Sequence, residues 1–548
     1  MFRRTDSQGT LGSLSVLLSP EKINRLEQKH WAGGFRHKAL PLLLANEDTF
    51  RPLFCEDNGR PNKPVAATVG LLILKEMFDL TDDAALDHFE FNNAWQYALD
   101  VDPDEAHLCQ KTLHNFRVKM SEAEAQGILT CSTVFDKVVQ GIVKDMGLKL
   151  GRQRLDSTHI RSNMAVLSRL ALFTHTITAF LKKLGKQHPR LFSALPTGLH
   201  KRYIEREGYF ADSPSSEGRR RLAQCAADVW RLVDRFRGQR RVSGMPSYLR
   251  LERLLGEQCI VEDWDPTDPD GDSPEGVPVR PKDPKVEKIP ATSLQGSDED
   301  ATYGHKGKGY QVQVAETCDP DNEIEVVTHV SVDGAHESDQ HAAIPVLDDL
   351  AQKGCKPETL LADTGYGSGQ NIVDAAQRGV DLLSPSCGTP PDPVEGEVIL
   401  CDFSFTPDGQ RIEHCPAGVE PVAQGICGKD NSRRYAHIHV ERCVRCPCFG
   451  GCVARWSERA QNMMVTWQPS EGATAARRHR EFTKEFKDSY RLRSGIEATN
   501  SEYKRPYGGG RLRVRGRPAV RRTVAFKFMA LNISRWIRPA QKTRVLAA

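Results

Sequence analysis

Between residues 302 and 386 the hydrophobic period switches repeatedly, in an order that few folds accommodate. GYQVQVAETCD and EIEVVTHVSVDG have strand-like period and are joined by the turn-forming DPDN, which predicts a hairpin. DQHAAIPVLDDLAQKG has helical spacing and stops at Gly354. TLLADTGYGS is a short apolar strand ending in Asp363, NIVDAAQRG a helix and VDLLSPS another strand. Far upstream, LKLGRQRLDSTHIRSN reads as a strand ending in Asp156. The resulting order, β-β-β-α-β-α-β with a helical block after the first strand, predicts an α/β fold: a mixed sheet covered by helices.

The rest of the chain divides around that sheet. Residues 1–40 have no strong periodicity. Residues 41–145 read as an all-α domain of short helices: KPVAATVGLLILKEMFDL, DDAALDHFEFNNAWQYALD and QKTLHNFRVKM. The last would expose Lys111, Arg117 and Lys119 between Leu113, Phe116 and Val118. A basic helix after short helices suits a helix-turn-helix DNA reader, and equally any small helical domain. The sheet is expected from 146–164 and 302–394. A helical insertion (165–260) and a Pro/Asp-rich linker (261–301), too polar to bury a core, interrupt it. Residues 395–470 read as an irregular Cys-rich insertion, and 471–540 as helical apart from a Gly-Gly-Gly break.

Charge is unevenly placed. The 548 residues carry a net charge of +3, but from Glu471 onward there are 20 Lys/Arg against 6 Asp/Glu. The remainder holds 55 basic and 66 acidic groups. This asymmetry points to a polyanion at the C-terminal end, or to a solubilising tail. No apolar run approaches the roughly 20 residues that span a bilayer. VGLLILKEMF is interrupted by Lys75, and MFRRTDSQG has no apolar stretch behind it. A cytoplasmic protein with no membrane partner is expected. Fifteen cysteines, an odd number, argue against a disulfide framework. Cys55, Cys109, Cys131 and Cys225 are isolated and expected in cores. Cys443, Cys446, Cys448 and Cys452 fall within ten residues, dense enough for structural Zn²⁺ with a more distant ligand, Cys415 or Cys401, or for a metal-free cluster.

The stretch YRLRSGIEATNSEYKRP (490–506) reads as one amphipathic helix. At about 100° per residue, Tyr490, Arg493, Glu497 and Lys504 fall within an arc of roughly 60°. An Arg493–Glu497 ion pair would account for two of the four. A carboxylate completing a divalent-metal site beside phosphates, flanked by donors, accounts for all four. Gly495 would let another group approach this helix closely. Asp156 and Asp363, expected at strand ends, suit either turn capping or metal ligation.

Tyr490-x2-Arg493-x3-Glu497-x6-Lys504 resembles the signature around the catalytic glutamate of bacterial insertion-sequence transposases of the DDE type. Asp363-Thr364-Gly365-Tyr366 resembles their second-aspartate motif, and Asp156-Ser157-Thr158 their first. YGHKGKGYQVQV (303–314) is similar to the basic turn into the second strand. The N-terminal helices resemble a DNA-end-binding domain. The resemblance implies a ribonuclease H-like core: a five-stranded mixed sheet with helices on both faces. It implies two Mg²⁺ ions, with Mn²⁺ as substitute, held by the catalytic Asp156, Asp363 and Glu497. It implies double-stranded DNA as partner, both the element's terminal inverted repeats and the target, and a homodimer in the synaptic complex of a bacterial cytoplasm. Tyr490, Arg493, Lys504, Arg511 and Arg513 would then meet phosphates, with Arg117 and Lys119 near the repeats. A nuclease that cuts without joining, and an inactive transposase-derived DNA-binding protein, are the rivals.

Overall fold

Among the described residues, eight strands in the first four hundred organise the chain: β1 (Arg152–Ile160), β2 (Cys259–Val261), β3 (Val279–Pro281), β4 (Thr302–Gly304), β5 (Gly307–Thr317), β6 (Val327–Gly334), β7 (Thr359–Ala362) and β8 (Asp381–Leu383). The computed structural model describes residues 1–5, 18–55, 61–128, 130–164, 167–205, 215–261, 277–389 and 396–538. In the main sheet β5 lies between β1 and β6, β7 joins the other edge of β1, and β8 follows β7. β4 adds to the start of β5. β5 runs antiparallel to β1, β4 and β6, whereas β1, β7 and β8 are mutually parallel. The mixed α/β sheet expected from the alternating periods is therefore present.

β1 does not end at Asp156. Ser157 through Ile160 pair with Gln313 through Tyr310, so the strand continues four residues further. Thr158 and Ile160 are β-branched and pack well on a pleated surface, which favours the extension.

Helices begin earlier than expected, at Pro20, where the Ser19 side chain accepts from the Lys22 N–H and caps Pro20–Lys29. DDAALDHFEFNNAWQYALD breaks into Asp82–Phe91 and Asn93–Leu99, because Asn92 accepts from the Ala94 and Trp95 N–H groups and starts a new helix. The basic helix spans Gln110–Ala125; Val118, expected among its packed residues, is exposed. These helices do not form a separate core. The C-terminal helix Arg517–Ile537, buried along most of its length, packs against Val65–Met77, Thr130–Met146 and β6. Buried Lys527 lies 2.6 Å from Glu76. Burial alone would raise the Glu76 carboxyl, but Lys75 and Lys527 hold it below the usual range. The helix that closes the basic run is thus interior structure rather than a tail, with Arg522 and Lys527 buried, while Arg505, Arg511, Arg513 and Arg515 before it are exposed.

The helical insertion has its own core, built by Arg169–Gln187, Ser215–Phe236 and Pro246–Gln258 and closed by the β2–β3 hairpin. The linker expected to be exposed is only partly described, and residues 262–276 lie outside the described part. Beyond them Val277, Val279 and Leu294 join the insertion core. Asp298 is buried and accepts from Tyr310 Oη (3.0 Å) and the Gly516 N–H (3.2 Å).

The Cys-rich insertion is regular rather than irregular. β9 (Ser404–Phe405) pairs with β10 (Ile412–His414). β11 (Ala423–Cys427), β12 (Arg433–Ile438), β13 (Arg455–Ser457) and β14 (Asn462–Trp467) form a sheet in the order β11-β12-β14-β13 around a core containing Phe403, Phe405 and Trp467. Cys131 and Cys225 are buried as expected, but Cys55 and Cys109 are exposed. Among the described residues no helix is long and apolar enough to cross a membrane.

Candidate active site

The parallel register of β1 and β7 sets two acids side by side. Leu155 pairs with Ala362, and both chains then continue into an aspartate, Asp156 and Asp363. β7 stops at Ala362, so Asp156 faces the end of a neighbouring strand although it lies mid-strand itself. Asp363 does cap a turn, accepting from the Gly365 N–H at 2.9 Å through Oδ1. Its Oδ2 faces the site.

The third acid comes from a helix that is not continuous. Lys484–Tyr490 is α-helical, Arg491–Ser494 is a tighter 3₁₀ turn, and Gly495–Lys504 is a second α-helix. The expected single face of four residues is therefore split, and Tyr490 stacks on Phe486 (centroids 5.6 Å apart). The second helix is fastened to β1 and β5. Arg154 donates to Glu316 Oε1 and to the Leu492 carbonyl, both at 2.8 Å. Thr499 Oγ1 donates to Glu316 Oε2 at 2.7 Å. Gly495 permits this: a Cβ there would lie 2.0 Å from Arg154 Nη1. Gly495→Ala is expected to displace the Arg154 fork, destabilise the protein by about 1–3 kcal/mol and impair the site. Thermal unfolding checks it; an unchanged midpoint would mean that Arg154 yields without cost.

Arg493 stands among all three acids. Its Nη2 lies 3.2 Å from Asp156 Oδ1 and 3.8 Å from Asp363 Oδ2, and its Nη1 lies 3.1 Å from Glu497 Oε1. Asn500, one turn beyond Glu497, donates to Asp156 Oδ2 at 3.1 Å. The Asp156 side chain is 13% exposed and that of Glu497 67%. Burial pushes the Asp156 carboxyl up; Arg493 opposes the shift and Asp363 adds to it. Burial disfavours the Arg493 charge, but Asp156 and its neighbours raise it overall. Arg493 Nε and Asn500 Oδ1 are buried with no hydrogen-bond partner.

This arrangement fits divalent cations in chemistry. Three carboxylates from three elements surround one positive group, and hard oxygen donors suit Mg²⁺. The unpartnered polar atoms leave bonding capacity for a further polar ligand. In their present positions, no three or more His, Cys, Asp or Glu among the described residues are grouped so as to hold a metal ion. The Arg493 fork occupies the space between the three acids.

The other sequence candidates lie in two kinds of place. Lys504 and Arg511 are exposed, and residues 510–514 run alongside 161–163 beyond β1. Arg513 instead pairs with Asp79 (2.5 Å), and Arg117 donates to Asp82 (2.9 Å). Lys119 is exposed, with its ammonium 5.5 Å from the Phe54 ring centroid. Two residues escaped sequence reasoning. Asn500 could have been found at the i+3 position after Glu497. Lys306, in the basic turn between β4 and β5, bears electrostatically on both Asp156 and Lys504.

In the Cys-rich insertion Cys415, Cys443, Cys446, Cys448 and Cys452 line one small cavity of about 40 Å³. Cys401 is elsewhere, beside Arg478 Nη1 at 3.3 Å. Burial, with Cys415, Cys452 and Cys446, pushes the Cys443 thiol up to about 11.

Residues 414–537 match the family described as Transposase DDE domain, and residues 37–119 match Transposase domain (DUF772). The chain is a DDE-type transposase of the insertion-sequence kind. In this transposase the DDE match contains Glu497, Arg493 and the C-terminal helix, but not Asp156 or Asp363. The other match covers the N-terminal helices from His37 to Lys119. No curated protein and no solved structure matches the transposase.

Proposed function

We propose that this transposase binds the ends of a mobile DNA element, cleaves them and joins the freed 3′-hydroxyls to target DNA. The observation that carries the proposal is one guanidinium lying within 3.8 Å of Asp156, Asp363 and Glu497 together. That is a seat for positive charge built from three distant parts of the chain. The strand order supports a ribonuclease H-like core with helices on both faces. Asp156, Asp363 and Glu497 would hold two Mg²⁺ ions, or Mn²⁺ in their place. When bound, such ions activate the attacking oxygen and neutralise charge on the phosphoryl group.

The chain's own residues do the positioning. Asn500 orients Asp156 from below the Glu497 carboxylate. Arg493 has the planar fork that grips phosphate, while Lys504 and Lys306 offer point charges beside it. The Tyr490 ring, held on Phe486, would offer its hydroxyl to a further phosphate. Exposed Arg511 extends the phosphate track, and Lys119 lies on the N-terminal helix assigned to the terminal repeats. Arg513, itself exposed, and Arg117 act through their ion pairs with Asp79 and Asp82, as positioning groups beside that surface. Joining two element ends calls for a homodimer, and a bacterial cytoplasm holds the DNA.

Asp156→Asn is expected to abolish both cleavage and joining of element ends in Mg²⁺ while gel-shift affinity for those ends persists. Cleavage by the variant at the wild-type rate would refute the assignment. Wild-type cleavage without any joined product would reduce the activity to that of a nuclease.

In the Cys-rich insertion, we assign a structural Zn²⁺ to Cys415 and three of the four clustered cysteines. Binding such an ion would displace the thiol protons and offset the mutual repulsion of the thiolates. Metal analysis of purified protein is expected to return one zinc per chain, and Cys415→Ser to lower it sharply. A Cys401→Ser variant should retain it. Absence of zinc from freshly purified wild-type protein would end this assignment.

A further inference from the structure

The helical insertion carries a charge that the catalytic site does not explain. Residues 165–260 hold 18 Lys/Arg against 8 Asp/Glu. Much of the excess gathers at one end. The last turns of Arg169–Gln187, the short helix Pro189–Ser193, the end of Ser215–Phe236 and the short helix Arg240–Ser243 meet there. Within 182–190 and 235–241 the sequence contains eight basic residues and no acidic one. Arg235 Nη2 bonds the Ala194 carbonyl at 3.0 Å and ties two of these elements together.

Between them lies an open cleft of about 710 Å³, lined by His188, Arg190, Gln239, Arg240 and Arg241 among others. Among the described residues no carboxylate lines it. Arg190, Arg240 and Arg241 are exposed and have no ion-pair partner among the described residues. Elsewhere in the insertion Arg202 pairs with buried Asp228 at 2.8 Å, and Arg253 with Glu257 at 2.8 Å. The cleft is mounted firmly. In the core of the same insertion Phe180 packs on Phe236 and Tyr248, and the Tyr248 hydroxyl donates to the Val233 carbonyl at 2.8 Å. The insertion itself is spliced directly after the strand that bears Asp156, and Lys308 Nζ of β5 donates to the Leu167 carbonyl at 2.9 Å.

The geometry points to a second DNA-binding surface: Arg190, Arg240 and Arg241 clamp the phosphate backbone of duplex DNA away from the scissile end. Unpaired guanidinium forks match phosphate oxygens. The cleft is open and too wide for a single small anion, as suits a continuous polyanion. This inference rests on the reading of the chain as an enzyme acting on DNA ends.

The test measures binding of the full-length protein to a duplex longer than the terminal repeat, with EDTA present so that no cleavage intervenes. The triple variant R190E/R240E/R241E is expected to bind at least about tenfold more weakly. The slope of log affinity against log salt should become shallower by about 2–3, at about 0.9 for each phosphate that is no longer neutralised. R190K/R240K/R241K, which keeps the charge, should retain most of the slope and controls for misfolding. An unchanged slope in the Glu triple, an equal loss in the Lys triple, or tighter binding of RNA than of duplex DNA would each overturn the inference. If the Glu triple loses DNA while acid variants still cleave, only the catalytic assignment fails; normal binding by the Glu triple with cleavage lost in the acid variants fails only this inference.

Discussion

Glu497→Gln is expected to abolish cleavage of element ends while leaving the fold and DNA binding intact. Gln has the same shape and keeps one carbonyl oxygen, so the Gly495–Lys504 helix is not disturbed. The Glu497 side chain is two-thirds exposed, and its one ion pair, with Arg493, has two other acids to fall back on. What the variant loses is a negative charge aimed at the cation seat. A ligand whose metal stabilises the transition state by about 4 kcal/mol is worth about 10³-fold in rate. The expected loss is therefore at least about 10³-fold in end cleavage with Mg²⁺. Time courses on labelled ends read it directly. A rate within about tenfold of wild type, with Mg²⁺ and normal gel-shift binding, would remove Glu497 from the chemistry.

Glu316→Ala is expected to cost about 3–5 kcal/mol of stability and to loosen the site as well. Glu316 has no solvent exposure and joins three elements. It accepts from Arg154 on β1, from Thr499 on the Glu497-bearing helix, and from Arg535 on the C-terminal helix at 3.3 Å. Burial disfavours the Arg535 charge, but Glu316 and Glu502 more than compensate and hold it protonated. Removing the carboxylate leaves two largely buried guanidinium groups facing each other without their shared partner. That is the costly way to break a buried pair. Thr499→Val removes one hydrogen bond from the same network and is expected to cost only about 1 kcal/mol. Denaturant unfolding separates the two. Equal midpoints for Glu316→Ala and wild type would show that this network does not fasten the helix.

Local pattern revealed much of the sheet. The β5–β6 hairpin, the helix that stops near Gly354, and the strand before Asp363 were legible because alternation and turn residues act over a few positions. The length of β1 was not legible, since what pairs with Ser157–Ile160 lies some 150 residues away in β5. The split of the 490–506 stretch was hidden for a related reason. Its sequence is compatible with unbroken helix, and the 3₁₀ turn coincides with Arg154 reaching in to the Leu492 carbonyl. Charge counting misled most. The basic C-terminal run looked like a single surface, yet Lys527 and Arg522 are buried and Arg513 is paired with Asp79. A count of charges carries no information on which of them have partners.

The residue types that can seat a cation, and their order along the chain, were written in local motifs around positions 156, 363 and 497. Their convergence on Arg493 was not, nor was the meeting of Cys415 with the four later cysteines while Cys401 stands apart. Those outcomes depend on strand register and on a buried glutamate joining three elements. Both are long-range pairings, chosen by the free energy of the whole core rather than by any short stretch.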